Sequence, residues 1–172
     1  MALRNIITKE DPALYKTSRV VEKFDARLHT LLDDMKDTLL ASGGVGLAAP
    51  QVGVLKRVCL VMETNVEEGQ EEYVIELINP EIIEAEGEQE GPEGCLSFPE
   101  EYGIVRRPAK VKVKAQDRNG SFFEVTGEGL TARCFCHETD HLDGIVFTEL
   151  AERMLDPSEL RAPEEKEETE EA

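Results

Sequence analysis

The chain has 172 residues with 37 acids against 19 lysines and arginines, a net charge of −18 and a pI of about 4.5. That length holds one domain with a sizeable core, and the charge excludes general affinity for nucleic acid or anionic membranes. No apolar run approaches a membrane span, and the polar start MALRNIITKEDP lacks a secretory h-region, so the expected compartment is the cytoplasm.

In chain order, residues 3–9 suit a short edge strand or an extended arm, and Asp11-Pro12 opens a turn. From 25 to 42, Leu28, Leu31, Leu32, Met35 and Leu39 recur at helical spacing. This pattern predicts an amphipathic helix ended by Gly43-Gly44; His29 falls on its polar side. Next comes GGVGLAAPQVG at 43–53, dense in small residues that let a backbone pass close to a strand or a ligand. No strand precedes it and no Gly-Lys-Ser/Thr closes it, so a phosphate loop is excluded. Gln51 is its one polar side chain, set there either to satisfy buried backbone groups or to donate to a substrate oxygen.

Apolar β-type runs follow at 57–62, 73–78 and 81–86, with Asn79-Pro80 expected to turn the chain between the last two. The acidic stretches 63–72 and 86–94 read as loops, the second leading to Cys95. Runs at 111–115 and 122–126 flank Asp117-Arg118-Asn119-Gly120, a hairpin signal. Near the end, Asp156-Pro157 resembles a cap with proline at the first helical position, predicting a short helix over 157–162. The Glu-rich tail 163–172 is expected to be disordered. The fold class expected is α+β: mixed or antiparallel sheets around a central helix, an N-terminal amphipathic helix and a short C-terminal one. Residues 1–162 would form the catalytic domain.

Chemistry concentrates in RCFCHETDHLDG at 133–144. On a helix, His137 and His141 stand about 40° apart on one face, which suits two ligands to one metal ion, with Glu138 beside them to move protons. A surface helix with two histidines on one face by chance is the bland alternative. A catalytic site of this type takes three protein ligands. Cys134 and Cys95 are both candidates for the third; glycine beside Cys95 allows close approach, whereas Cys134 reads equally well as a small buried residue. The four cysteines, at 59, 95, 134 and 136, are not spaced as a secreted disulfide framework.

Taken together, GVGLAAPQ at 44–51, EGCLS at 93–97 and HETDH at 137–141 resemble, in order and separation, the three signature motifs of the peptide deformylases. The resemblance spans nearly the whole chain and is nearest to the shorter bacterial-type members, because no long insertion follows EGCLS. It implies removal of the formyl group from the N-terminal methionine of nascent peptides, releasing formate. It further implies one divalent metal on Cys95, His137 and His141, with water as fourth ligand; Fe(II) is the expected cellular ion, and Zn(II), Ni(II) or Co(II) can take its place. Glu138 would act as general base and then acid, while Gln51 and the Leu96 N–H would stabilise the oxyanion. Gly44 and Gly46 would let the peptide backbone lie alongside as an added strand. Val45, Leu130 and Cys134 would surround the methionine side chain. The implied partners are N-formylmethionyl nascent peptides, with at most transient ribosome contact and neither stable nucleic-acid nor membrane binding.

Two features depart from the pattern. Cys136 precedes His137 where glutamine is frequent, adding a thiol open to oxidation or soft metals. The acidic tail stands where many relatives carry a long, often basic helix, and would be repelled by ribosomal RNA. The competing readings are a metallopeptidase that cuts peptide bonds, argued against by Cys95, and a silent binding module, argued against by Glu138 and Gln51.

Overall fold

The computed structural model describes residues 2–159. Helix α1 (Ala26–Ser42) starts where the Asp25 side chain accepts from Leu28 N–H at 3.2 Å and ends at Gly43, which takes the left-handed conformation with φ 73°. Its buried stripe is Leu28, Leu31, Leu32, Met35 and Leu39. The N-terminal stretch is an extended arm, bonded through Ile7 N–H to the Gln51 carbonyl and through Lys9 N–H to that of Ser97.

Among the described residues eight strands follow: β1 (Gly46–Ala48), β2 (Val58–Glu63), β3 (Tyr73–Glu86), β4 (Gln89–Cys95), β5 (Phe98–Arg107), β6 (Lys110–Gln116), β7 (Phe122–Glu128) and β8 (Arg153–Met154). They form two antiparallel sheets, ordered β1-β2-β3-β6-β7 and β4-β5-β8. Helix α2 (Leu130–Leu142) carries HETDH and packs on β2, β7 and β1. No helix among the described residues is long and apolar enough to cross a membrane.

The larger sheet is covered on both faces, and β2 shows how. Val58 and Leu60 join the α1 stripe, whereas Cys59 and Val61 pack with Ala132, Cys134, Phe135 and Cys136 of α2. A strand buried on both faces reads as an unbroken apolar run, and VCLV is one. A third cluster, Leu14, Phe98, Val105, Val146 and Phe147, lies under the smaller sheet.

Two expectations are corrected. Asn79-Pro80 does not turn the chain: β3 runs through it with a register shift against β6 between Ile78 and Glu81. Asn79 adopts φ 52° there, and its amide bonds both Val21 N–H and Val21 C=O. An irregularity in pairing is one of the few places where a strand tolerates proline. The acidic 86–94 stretch is largely strand β4 rather than loop. Its inward positions are Gln89, Gly91 and Glu93, so the usual apolar alternation is missing, and outward Glu90 pairs with Arg106 across the ladder at 3.3 Å. The expected C-terminal helix is helical over Pro157–Glu159, and the rest of it, with the acidic tail, lies outside the described residues.

Candidate metal centre

Two segments far apart in sequence meet on α2. Cys95 ends β4 at the turn into β5, and the sheet edge delivers it to the face of α2 that carries both histidines. The His141 Nε2 atom lies 3.2 Å from His137 Nε2 and 3.4 Å from Cys95 Sγ, and all three ligand atoms fall within 4.8 Å of one another. A tetrahedral ion with nitrogen at ~2.05 Å and sulfur at ~2.3 Å separates its donors by about 3.3–3.6 Å, so the set fits one ion. Cys95, not Cys134, supplies the sulfur of this group.

The tautomers agree. Glu93 holds His137 Nδ1 at 2.7 Å, and a carboxylate can only accept, so His137 Nδ1 carries the proton and Nε2 keeps its lone pair toward the shared point. Glu93 is itself clamped: Arg107 donates to both its oxygens, at 3.0 and 2.7 Å, and Arg133 donates at 3.0 Å. Arg107 also reaches Asp140 at 2.7 Å. Burial works to raise the Glu93 carboxyl, but the hydrogen bonds from His137 and Arg107 overcome it and hold the group well below the usual carboxylate range. Burial likewise opposes charge on His137, yet Glu138, Cys95 and Glu93 outweigh it and raise that imidazole well above its usual pKa. Burial and the neighbouring His137 push His141 well below.

Glu138 is 4% exposed, and burial pushes its carboxyl up to about 7. Its Oε1 has no hydrogen-bond partner among the described residues, as is also true of His141 Nδ1. Its Oε2 crowds the place where a side chain on residue 46 would begin, which is why glycine stands there. Gln51, in the short 3-10 turn Ala49–Val52, accepts from Ala48 N–H at 2.9 Å. Its amide nitrogen donates to Ser97 Oγ at 3.0 Å and Cys95 Sγ at 3.4 Å. It thus satisfies a buried backbone group and touches the sulfur as well.

These groups border a cleft of about 500 Å³ between residues 42–46 and the β4–β5 turn. Gly44, Val45, Gly46, Gln51, Cys95, Leu96, Leu130, Cys134, His137 and Glu138 all line it, while His141 sits behind them at 1% exposure. Cys134 and Cys136 are buried in the α2 core, and burial raises their thiols to about 12 and about 11, so both stay protonated near neutrality.

Residues 3–156 match the family model for polypeptide deformylase. The chain belongs to that family. It is 55% identical over 160 residues to a peptide deformylase of Caldicellulosiruptor bescii, covering 93% of this chain and 92% of that one. It is 58% identical over 149 residues to one of Lachnoclostridium phytofermentans, covering 87% and 89%. Among solved structures, a Legionella pneumophila peptide deformylase superposes with TM-score 0.78 at 46% identity, covering 91% of this chain and 88% of that one. Deformylases are hydrolases that take the formyl group from the N-terminus of nascent peptides during protein biosynthesis.

The residues that hold this deformylase centre from behind, Glu93, Arg107, Arg133 and Asp140, drew no role from the sequence. Glu93 stands within EGCLS and Asp140 within HETDH, so proximity to a motif was the available signal. Arg107 gave none beyond its neighbour: Arg106 and Arg107 are adjacent on β5, and pleating alone sends one outward at 54% exposure and the other inward at 6%.

Proposed function

We propose that this deformylase hydrolyses the formyl amide of N-formylmethionyl peptides at the Cys95–His137–His141 centre, with Glu138 moving the proton. The carrying observation is the convergence of those three ligand atoms beside a buried carboxylate with one oxygen unpartnered among the described residues, at the edge of a cleft. A divalent ion held there supplies Lewis-acid charge, which polarises the formyl oxygen and makes water a nucleophile near neutral pH. Fe(II) is the proposed cellular ion, with Zn(II), Ni(II) and Co(II) compatible with a thiolate and two imidazoles.

Glu138 takes a proton from water as the water oxygen bonds to the formyl carbon. It returns that proton to the nitrogen as the C–N bond breaks, leaving formate and a free amine. A carboxyl raised toward neutrality suits both halves of this task. The Leu96 N–H and the Gln51 amide stabilise the oxyanion, each donor worth about 3 kcal/mol. The Gln51 amide lines the cleft beside Cys95, which supports that assignment. Among the described residues, strand β1 is an edge strand paired only with β2, so an extended peptide can add to it past Gly44 and Gly46. Val45, Leu130 and Cys134 receive the methionine side chain. The catalytic unit is residues 1–162, acting in the cytoplasm where formylated chains emerge.

The test is anaerobic purification with metal analysis and a formate assay on one sample, using formyl-Met-Ala and an unblocked peptide. Formate and one new amine are expected from the first, and no cleavage of the second. Glu138→Ala is expected to retain its metal and lose about 10²–10⁴-fold in rate. Substantial activity in that variant with metal in place overturns the proton-transfer assignment.

A further inference from the structure

Between the N-terminal arm and α1 the chain runs extended beside residues 55–57 and pairs on one side only. Arg19 N–H donates to the Leu55 carbonyl at 3.0 Å, and Arg57 N–H donates to that of Arg19 at 2.8 Å. Two residues on, the Asn79 side chain takes both backbone groups of Val21, at 2.8 and 2.9 Å. Extended backbone turns successive residues to opposite edges, so Val20 and Glu22 point their N–H and C=O groups the other way. Those groups have no hydrogen-bond partner among the described residues. Val20 is 63% exposed, and Arg19, Glu22 and Lys23 are exposed with it. The edge therefore lies open to solvent with its main-chain pairing unused.

This edge borders a second cleft of about 580 Å³, lined from residues 19–27 and 53–56. Its four cations are Arg19, Lys23, Arg27 and Lys56; all are exposed, and none forms an ion pair among the described residues. Its acids are Glu22 and Asp25. The Asp25 carboxylate is turned to the Leu28 N–H as the cap of α1, with Lys56 acting on it from beyond ion-pair distance. In a chain of net charge −18, cations elsewhere find carboxylates: Arg4 pairs with Asp34, Lys9 with Glu101, Arg106 with Glu90 and Glu152, and Arg118 with Glu76. A cleft that keeps four cations unpaired in such a chain is suited to negative charge from outside. Val20, Val21, Val54 and Leu55 add apolar lining, and no aromatic side chain lines it.

We propose that residues 19–23 are a docking edge for an extended acidic segment of a partner protein, which adds as a strand along Val20 and Glu22 and sets its carboxylates against Arg19, Lys23, Arg27 and Lys56. In strand addition the main-chain bonds supply affinity and the side chains supply the choice of partner. Nucleic acid would use the cations, but it has no match for an alternating backbone edge, and single strands stack on aromatic platforms that this cleft lacks. The edge is remote from the candidate metal centre. Helix α1 starts beside it at Ala26 and ends at Ser42 on the other cleft, 17 residues or about 25 Å away. A docked partner therefore leaves that other cleft unobstructed.

The experiment titrates the full chain, isotopically labelled for amide NMR, with the acetylated and amidated peptide Glu-Val-Glu-Thr-Glu-Val-Glu. Saturable binding tighter than about 1 mM is expected, with amide shifts centred on residues 19–27 and 53–56 and formate release from formyl-Met-Ala unchanged at saturation. N-methylation of two adjacent central amides spoils both edges of the peptide while keeping its charge, and should weaken binding about tenfold. An exposed charge pair is worth roughly 2–5-fold. Arg19→Glu together with Lys56→Glu should therefore also weaken it about tenfold with formate release retained, and 1 M salt should weaken it likewise. The proposal is overturned by absence of saturable binding, by shifts centred on the other cleft or inhibition of formate release, or by a methylated peptide or a charge-reversed protein that binds as tightly as its parent. An oligouridylate of about ten nucleotides that binds more tightly than the peptide would overturn it in favour of nucleic acid. Binding seen only after residues 163–172 are removed would assign the edge to the chain's own acidic tail, and the partner protein would fall.

Discussion

The carboxylate of Glu93 is the residue on which the centre's order depends. It fixes the tautomer of His137 and neutralises Arg107 and Arg133, both of which are themselves buried. Glu93→Gln would keep the shape and remove the charge, leaving two guanidiniums short of an anion. Breaking a buried pair of this kind costs about 3–5 kcal/mol, and loss of an outer-shell partner lowers metal affinity about 10–100-fold. Urea denaturation and metal titration of the same variant measure the two effects. The sign with pH follows from the direction of the shift. The folded-state carboxyl lies below its usual value of 4.5, so its contribution is full above that pH and is lost as pH falls toward the folded value. Stability of the wild type should therefore fall more steeply than that of Glu93→Gln as the solution is acidified below about 4.5. Equal slopes would remove Glu93 from this role. None of this was legible in the chain, because a buried glutamate and a solvated one are written with the same letter, and acids are abundant here. His137, Glu138 and His141 were legible because helical spacing puts them together without help from the rest of the fold.

The helices differ in how much of them is local. Helix α1 has a side-chain cap at Asp25, a stripe at helical spacing and a glycine stop, so its bounds could be read almost to the residue. Asp25→Ala should cost about 1 kcal/mol in a urea titration, with formate release unaffected. Helix α2 has Gly129 at its start with no side-chain cap, and eleven of its thirteen residues are buried. Packing supplies what capping does not. Phe135, fully buried between α2 and the sheet, should cost about 3–5 kcal/mol when replaced by alanine. Among the strands, β2 announced itself as a continuous apolar run. Strand β4 did not, since pairing with β5 and charge partners on Arg106 hold a segment whose composition reads as loop.

For the whole molecule, the two sheets meet at the candidate metal centre: β4 brings Cys95, and the larger sheet carries α2 and the edge strand beside it. A bound ion therefore ties separate parts of the fold, and stripping it with a chelator should lower the melting temperature. Readdition should restore it in a concentration-dependent way, as mass action requires. A melting temperature indifferent to metal would argue that the three side chains hold nothing. Truncation after residue 162 should leave both formate release and melting unchanged, since the proposed catalytic unit ends there. The net charge of −18 was available from composition alone and concerns association, not fold.

By itself, the order of residues determined the family, the amphipathic α1, the histidine pair on one face of α2 and the three motifs, because each depends on spacing within a few residues. Spacing left Cys95 and Cys134 both open and the resemblance implied Cys95; the tertiary structure brings Cys95 to His137 and His141, and it alone decided that Glu93 stands behind them and that Glu100 reaches the cleft. Those are contacts across 44 to 46 residues or across a bulge in a strand ladder. Such contacts arise from sheet pairing and packing, and a register of two strands is a property of both.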